Sequence, residues 1–241
     1  MPRPSKMKKF FVIGNPIEHS LSPKLHNYWI KSNYLKAFYD KKKIDISELE
    51  NLIKEVREKK IDGINVTVPF KNSVIPFLDK LTNEAQKTQS VNTIYLRDGM
   101  TIGHNTDIEG FELAIKDTNY DIVGKKVLIL GAGGVAPSII VALNNMNVEK
   151  IFISNRTQSK VENLKKTFHK IEIVKWGTMP NFDMIVNATS LGLQKDDNIP
   201  IDYSKFDSDK FFYDVIYNPS ETNFLKAAKK NGNKTENGKK M

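Results

Sequence analysis

Apolar and polar positions divide the first half of this chain into short strand-like runs separated by helix-like segments. Apolar runs at Lys9–Gly14 and Gly63–Val68 predict two strands, and Phe38–Ile44 is a candidate for another strand between them. Both gaps between them carry apolar residues at helical spacing, and Ser47 with Glu50 matches the capping box that begins a helix. A βαβαβ order of this kind predicts an α/β domain with a mainly parallel sheet.

The second half of the chain also alternates strand-like and helix-like segments. The turn Asp98-Gly99 predicts a hairpin between the two halves. Further strands are predicted near Lys126, Ile151, Ile171, Met184 and Phe211. The segment Asn223–Lys230 predicts a last helix. This order is typical of a doubly wound sheet, so we predict two domains, residues 1–104 and residues 105–241.

The predicted strand at Val127–Leu130 runs directly into a glycine-rich turn and then into an apolar helix. Gly131, Gly133 and Ala136 fit the G-x-G-x-x-G/A spacing of dinucleotide-binding turns. Glycines at these positions let backbone amides approach a pyrophosphate at the N-terminus of the helix. A glycine-rich turn of an ordinary α/β domain has the same composition, so the motif alone leaves both interpretations open.

The segment after the next strand indicates which dinucleotide would bind. Sites that prefer NAD place an acidic residue here, against the ribose 2′-hydroxyl, and residues 152–160 contain no Asp or Glu. They contain Arg156 and Lys160, with the polar groups of Asn155 and Thr157 beside them. Guanidinium and ammonium groups suit a 2′-phosphate, so the sequence favours NADP. The alternative is a basic turn that is merely solvated.

The amino-acid composition excludes several kinds of catalytic and metal site. Hydrophobic residues make up 39% of the 241 residues and charged residues 27%, which is ordinary for a soluble globular protein. The chain has no cysteine, which excludes disulfides, thiolate catalysis and thiolate metal sites. Its four histidines lack the spacing of a metal-ligand motif, so we expect no metal.

The net charge of +9 raises the question of nucleic acid or membrane partners. Only four of the 37 basic residues are arginines, and no nucleic-acid-binding module is visible, so a solvated lysine-rich surface is the better interpretation. The apolar run near the N-terminus is too short for a signal peptide, and Val127–Leu143 is too short to span a membrane. We therefore expect no nucleic acid or membrane partner and a cytoplasmic location.

Polar clusters follow several predicted strands, at the positions where α/β proteins bind ligands. The clusters are Ser20–Ser22, Asn65–Lys71, Val91–Thr93 and Asn105–Asp107. A lysine–aspartate pair shared across such loops would exchange a proton with an alcohol. Ordinary loop chemistry, such as capping of a helix by Ser22, explains any one cluster equally well.

Taken together and in this order, the motifs resemble those of the shikimate dehydrogenase family. The matching segments are GNPIEHSLSPKLHN, INVTVPFK, SVNTI, GHNTDIEGF, LILGAGG, ISNRT, NATSLG and YDVIYNP. The resemblance implies an oxidoreductase that reversibly reduces 3-dehydroshikimate to shikimate with NADP, in aromatic amino-acid biosynthesis. It implies an α/β fold of two domains, an N-terminal, mainly parallel substrate domain and a C-terminal, Rossmann-type, doubly wound NADP domain.

The resemblance also implies roles for individual residues. It makes Lys71 and Asp107 the catalytic acid–base pair. The substrate-binding residues that it implies are Ser20, Ser22, Thr67, Lys71, Asn92, Asp107 and Tyr217. The cofactor-binding residues that it implies are Gly131, Ala132, Gly133, Gly134, Asn155, Arg156, Thr157, Lys160, Thr189, Ser190 and Val215.

Some features depart from the family pattern and leave alternatives open. The family's C-terminal helix, with its substrate-binding glutamine, does not follow Met241, and Lys240 replaces a glycine. One alternative is therefore a truncated fragment that binds nucleotide, is poorly active and exposes apolar side chains in its first domain. Another is a quinate/shikimate dehydrogenase that uses NAD, against which Arg156 and Lys160 argue. Met1–Lys6 resembles an upstream start or a tag, and we expect a monomer or a homodimer.

Overall fold

The computed structural model describes residues 6–241, so most of the segment Met1–Lys6 lies outside the described residues. The chain forms two compact units, of which the first ends at Thr106 and the second begins at Asp107. Each unit contains a six-stranded sheet flanked by helices. The predicted fold class, α/β with two largely parallel-sheet domains, is confirmed.

The first unit has a mixed sheet with the strand order β2-β1-β3-β5-β6-β4. Its strands are β1 (Lys8–Gly14), β2 (Ala37–Lys43), β3 (Gly63–Val66), β4 (Lys80–Leu81), β5 (Thr93–Arg97) and β6 (Met100–His104). Strand β1 pairs in parallel with β2 and β3, whereas β5 runs antiparallel to β3 and β6. The predicted hairpin is therefore present, with Asp98 and Gly99 at positive φ in its turn. The helices are α1 (Ser22–Ser32), α2 (Leu49–Arg57) and α3 (Asn83–Thr88).

Helices α1 and α2 differ in how much apolar surface they bury. One face of α2 packs into the core through Leu49, Leu52, Ile53 and Val56. None of the 11 residues described in α1 is buried. Leu25, Tyr28 and Trp29 on α1 are 47%, 67% and 48% exposed. Helix α1 therefore presents exposed apolar side chains on the first unit.

The start of α2 differs from the prediction. The capping box is formed by Asp45 and Glu48, not by Ser47 and Glu50, and the Asp45 backbone N–H donates to Glu48 Oε2 at 2.7 Å. A single 3₁₀ turn, Ile46–Glu48, precedes the helix. The free backbone N–H groups at the start of the helical segment therefore belong to the 3₁₀ turn. For this reason the capping residue is Asp45, two residues before the predicted Ser47.

The second unit has a wholly parallel sheet with the order β12-β11-β10-β7-β8-β9. Its strands are β7 (Lys126–Leu130), β8 (Lys150–Ser154), β9 (Glu172–Ile173), β10 (Met184–Asn187), β11 (Phe211–Asp214) and β12 (Lys234–Asn237). Its helices are α4 (Asp107–Asp117), α5 (Ala136–Asn145), α6 (Gln158–Thr167) and α7 (Asn223–Lys230). All residues of β10 and β11 are buried, as expected for strands covered on both faces. No helix within residues 6–241 is long and apolar enough to cross a membrane.

Candidate active site

In the first unit, the loops that follow β1 and β3 pack tightly against each other. The Thr67 N–H donates to Ile13 O at 2.9 Å, and the Asn15 N–H donates to Val68 O at 3.0 Å. A Cβ atom added at Gly14 would lie 2.6 Å from Thr67 Cγ2, so only glycine permits this approach. Thr67 is therefore fixed where β3 ends, next to the loop that leads toward Ser20.

Ser20 and Ser22 are linked by a local hydrogen bond. The Ser22 N–H donates to Ser20 Oγ at 3.3 Å, and the Ser20 N–H donates to Ile17 O at 3.1 Å. Ser22 is the first residue of α1 and does not cap it, since the N-cap position is occupied by Leu21. Both hydroxyls are half-buried at the start of the helix and can donate to a carboxylate.

Asn92, a predicted substrate residue, is held by several hydrogen bonds. It is buried, its Nδ2 donates to Thr106 Oγ1 at 2.8 Å, and its Oδ1 accepts from the Thr106 N–H at 3.0 Å. Its Oδ1 also accepts from Thr93 Oγ1 at 3.1 Å. The amide therefore connects the start of β5 with the loop after β6, which leads directly into Asp107.

A second amide, Asn65, extends this network across the sheet. Its Nδ2 donates to Asn92 O at 3.2 Å and to Thr93 Oγ1 at 3.1 Å, and its Oδ1 accepts from the Tyr39 hydroxyl at 2.7 Å. His26 of α1 stacks on Tyr39 with ring centroids 4.1 Å apart, and burial lowers the pKa of His26. Sequence reasoning grouped Asn65 with a polar cluster but gave no role to Tyr39, because its partner lies two strands away.

The main chain of Lys71 is held beside Asn92. Lys71 O accepts from the Val91 N–H at 2.8 Å, and Phe70 immediately before it is buried in the core. The Lys71 side chain is half-buried. Asp107, in the second unit, is the first residue of α4 and is also half-buried.

In the second unit, the glycine-rich turn after β7 has the geometry of a phosphate cradle. Gly131 has φ +105°, and a Cβ atom there would lie 2.7 Å from Ala188 O, so no other residue fits. A Cβ atom at Gly133 would meet nothing within 4 Å, so the turn has open space in front of it. Helix α5 begins directly afterwards, with Pro137 in its first turn. These residues fit a pyrophosphate at the N-terminus of α5.

Asn155 joins the glycine-rich turn to the loop after β8. Its Oδ1 accepts from the Ala132 N–H at 3.2 Å, and its Nδ2 donates to Thr157 O at 2.9 Å. Arg156 and Lys160 are exposed, and neither forms an ion pair with an acidic side chain within residues 6–241. Both cations are therefore available to an anionic ligand at this end of the sheet.

One carboxylate lies near this basic loop. The N–H groups of Gln194 and Gly192 both donate to Asp197 at 3.0 Å and lower its pKa. The charge of Arg156 lowers the same pKa by a smaller amount. The loop after β10 thus ends close to the side chain that we expect to bind the 2′-phosphate.

The predicted residues at the nicotinamide end lie on the loops after β10 and β11. Thr189 Oγ1 donates to Asn187 Oδ1 at 2.7 Å, and the Val215 N–H donates to Asn187 O at 3.0 Å. Ser190 is exposed, and Tyr217 is 38% exposed. Sequence reasoning quoted the motifs NATSLG and YDVIYNP but gave no role to the buried polar residues at the ends of the two strands.

Gly238 packs closely against the loop after β11. A Cβ atom at Gly238 would lie 2.1 Å from Val215 O, and the Gly238 N–H donates to Ile216 O at 3.2 Å. Lys240, which replaces a glycine of the family pattern, forms ion pairs with Asp117 and Glu236. Within residues 6–241, no three acidic or histidine side chains are grouped so that they would hold a metal ion.

Comparisons with known proteins show which family this chain belongs to. A family model described as the shikimate dehydrogenase substrate binding domain matches residues 12–94, and one described as shikimate / quinate 5-dehydrogenase matches residues 112–194. The chain is 61% identical to the NADP⁺ shikimate dehydrogenase of Pelagibacter ubique, over 97% of this chain and 88% of that protein.

Solved structures give the same result. The shikimate dehydrogenase of Aquifex aeolicus matches with a TM-score of 0.90 and 35% identity, over 99% of this chain and 89% of that one. The shikimate 5-dehydrogenase of Thermus thermophilus, in complex with NADP(H) and shikimate, matches with a TM-score of 0.87 and 32% identity, over 96% and 87%. The chain therefore belongs to the shikimate dehydrogenase family.

Proposed function

We propose that this protein catalyses the NADP-dependent, reversible reduction of 3-dehydroshikimate to shikimate, a step of aromatic amino-acid biosynthesis. The observation that carries the proposal is the 61% identity, over 97% of the chain, to an NADP⁺ shikimate dehydrogenase. The open glycine-rich turn and the hydrogen-bonded polar residues near the strand ends support the proposal.

The cofactor assignment is supported by the turn at Gly131 and by the charge after β8. The open space over Gly133 leaves the amides of the turn accessible to a pyrophosphate. Arg156 and Lys160, exposed on the loop and helix that follow Asn155, bind the 2′-phosphate that distinguishes NADPH from NADH. When bound, NADPH supplies the hydride for the reduction.

In the proposed reaction, Lys71 moves the proton. A ketone that accepts a hydride becomes an alkoxide, and the Lys71 ammonium protonates that oxygen. Asp107 is the second member of the acid–base pair that the family pattern implies, and in the reverse direction Lys71 accepts the proton from shikimate. The hydrogen bond from the Val91 N–H to Lys71 O supports this role, because it fixes the lysine backbone close to Asn92.

The other proposed substrate contacts depend on which polar group each loop carries. Ser20 and Ser22 donate to the substrate carboxylate, with Thr67 beside them. Asn92 and Asp107 bind ring hydroxyls, and Asn92 is held for this by both of its bonds to Thr106. Tyr217 contacts substrate at the nicotinamide end.

The proposal is tested by initial rates of the full chain in four combinations, 3-dehydroshikimate with NADPH or NADH, and quinate with NADP⁺ or NAD⁺. We expect the highest kcat/KM for 3-dehydroshikimate with NADPH. A higher kcat/KM for quinate with NAD⁺ would establish the quinate/shikimate alternative. Binding of NADPH without turnover in any combination would favour a nucleotide-binding, poorly active protein. The cytoplasmic location and the choice between monomer and homodimer stay predictions.

A further inference from the structure

A buried carboxyl group lies at the junction of the two loops that carry the predicted nicotinamide-end residues. Asp214 is the last residue of β11 and has no exposed surface. It is paired in register with Asn187, the last residue of β10, which is equally buried. A polar side chain in such a place requires hydrogen-bond partners, since an unsatisfied buried group is costly.

Three donors converge on the two oxygens of Asp214. Its Oδ1 accepts from the Ile216 N–H at 3.0 Å and from Asn187 Nδ2 at 3.0 Å, and its Oδ2 accepts from Thr222 Oγ1 at 2.6 Å. The Thr222 contact has the length of a hydroxyl bonded to an ionised carboxylate. Because every partner donates, the hydrogen bonds favour the carboxylate, and they oppose the burial that favours the neutral acid.

Each donor belongs to a different segment around the expected cofactor site. Ile216 lies in the loop after β11, between Val215 and Tyr217. Asn187 orients the loop after β10, because its Nδ2 also donates to Leu191 O at 3.0 Å and its Oδ1 accepts from the Thr189 N–H at 3.0 Å. Thr222 is the N-cap residue of α7. A single carboxylate thus holds both loops and the start of a helix.

No cation compensates this charge. Within residues 6–241, Asp214 forms no ion pair with a lysine, arginine or histidine. Two tyrosines feel its charge, Tyr203 in the 3₁₀ turn Tyr203–Lys205 and Tyr213 on its own strand. Burial raises the pKa of each, and the charge of Asp214 raises it by a smaller amount. The next strand, β12, places neutral Asn237 opposite Asp214 and carries Glu236 beside it. The hydrogen bonds are therefore the stabilising partners of the ionised form.

We propose that Asp214 is a positioning residue whose carboxylate holds the loops after β10 and β11 in the shape that receives the nicotinamide end of the cofactor. The inference rests on the proposed function, because it takes Thr189, Ser190, Val215 and Tyr217 as residues of that end. Protonation removes the negative charge from the carboxyl group and so weakens all three hydrogen bonds, which loosens the link between the two loops and the start of α7.

The ionisation of Asp214 falls in an accessible pH range. Burial raises its pKa to about 6, and the hydrogen bonds from Thr222, Ile216 and Asn187 offset part of that effect. The loops are therefore held at neutral pH and released as the pH falls through about 6. Groups that bind only the adenosine half of the cofactor should not respond to this change.

The test compares two ligands by calorimetric titration on both sides of pH about 6. NADPH engages both halves of the site, whereas 2′-phospho-ADP-ribose lacks the nicotinamide. The ratio of the two affinities cancels the titration of the 2′-phosphate, which both ligands carry. Asp214→Asn imitates the protonated group, Thr222→Val removes one donor, and Thr222→Ser retains it. Asp183→Asn is the matched control, because Asp183 accepts from the Lys126 N–H at 2.8 Å at the opposite end of β10.

In the wild type, we expect the ratio of the NADPH affinity to the 2′-phospho-ADP-ribose affinity to decrease as the pH falls through about 6. In Asp214→Asn the ratio should be about tenfold lower at neutral pH, as the loss of bonds to a charged group implies, and independent of pH. Thr222→Val should move the midpoint to higher pH, Thr222→Ser should restore it, and Asp183→Asn should behave like the wild type.

Two results would overturn the inference. One is a wild-type ratio independent of pH, and the other is a ratio that Asp214→Asn leaves unchanged, either because both affinities fall equally or because neither falls. If Asp214→Asn fails to fold, the Thr222 pair decides the question. The test needs only cofactor, so it stands apart from the proposed reaction. NADPH binding without reduction of 3-dehydroshikimate would contradict the proposed function alone, and no NADPH binding would contradict both.

Discussion

The two units of this protein hold their functional loops with different chemistry. In the first, Asn65, Asn92 and Thr106 are joined by amide and hydroxyl hydrogen bonds that carry no charge. In the second, the equivalent junction is a buried carboxylate, Asp214. Amides keep their hydrogen bonds throughout the neutral pH range, whereas a carboxylate loses an acceptor when it is protonated. The framework around the substrate should therefore be indifferent to pH, and the framework around the nicotinamide should respond to it.

The largest expected effect lies in the first unit, at its proposed proton donor. Lys71→Ala should lower turnover by about 10²- to 10⁴-fold, the usual contribution of a proton-transfer group, and should weaken shikimate binding much less. Steady-state rates and shikimate titration of the same preparation measure the two effects. Lys87→Ala, an exposed lysine of α3, is the control and should be silent. Near-wild-type turnover in Lys71→Ala would remove the lysine from the mechanism.

The next effect concerns charge in the second unit. Replacing Arg156 and Lys160 together by Gln should reduce the preference for NADPH over NADH by about 100-fold at low salt, because two charge-assisted contacts to the 2′-phosphate are lost. The dissociation constants of both cofactors give the preference directly. Lys226→Gln with Lys230→Gln on α7 removes the same net charge elsewhere and should leave the preference intact. Equal wild-type affinities for the two cofactors would contradict the assignment.

The titration of Asp214 should also make the free energy of unfolding depend on pH. The folded pKa of Asp214, about 6, lies above the usual value for an unfolded aspartate, about 3.9. Its contribution to the free energy of unfolding is therefore fully present below about 3.9 and is lost as the pH rises through about 6. Relative to Asp214→Asn, the wild type should lose about 2–3 kcal/mol across that window.

Denaturant unfolding of the wild type and of Asp214→Asn at several pH values measures this difference. At neutral pH the variant should be no less stable than the wild type, although its nicotinamide site is looser. A stability difference that stays constant with pH would show that Asp214 does not titrate in this range.

The smallest expected effect tests the uncharged network. Tyr39→Phe removes the hydroxyl that donates to Asn65 Oδ1, and it should lower the free energy of unfolding by about 1 kcal/mol, with no pH dependence near neutrality. Tyr28→Phe, on a ring that is 67% exposed, is the control and should cost almost nothing. A pH-dependent loss in Tyr39→Phe would indicate that the adjacent His26 takes part in the network.

Elements with strong apolar patterns or clear caps could be predicted from the sequence, whereas the polar edge strand β12 could not. Strand β7 is uninterrupted and apolar, and α7 lies at Asn223–Lys230 as predicted because its periodicity and caps agree. Strand β12 consists of Lys-Thr-Glu-Asn and was not predicted. It exists because β11 offers an edge to pair with, which is a property of the neighbouring strand.

In the candidate site, too, contiguous motifs could be predicted and contacts between distant residues could not. The glycine-rich turn and the basic loop were predicted because each is contiguous in sequence and has a specific spacing. Asp214 and Asn187 stand in quoted motifs, but their bond joins residues 27 positions apart, and only the parallel register of β10 and β11 brings them together. Burial and pairing of this kind arise from tertiary structure, which a local pattern does not encode.

The central claim, that this protein reduces 3-dehydroshikimate with NADPH, is tested most directly by identifying the product. The full chain is incubated with 3-dehydroshikimate and either NADPH or NADH, and the product is followed by nuclear magnetic resonance. We predict that shikimate forms with NADPH, far more slowly with NADH, and far more slowly in Lys71→Ala. Failure to form shikimate with NADPH, under conditions where NADPH binds, would contradict the account.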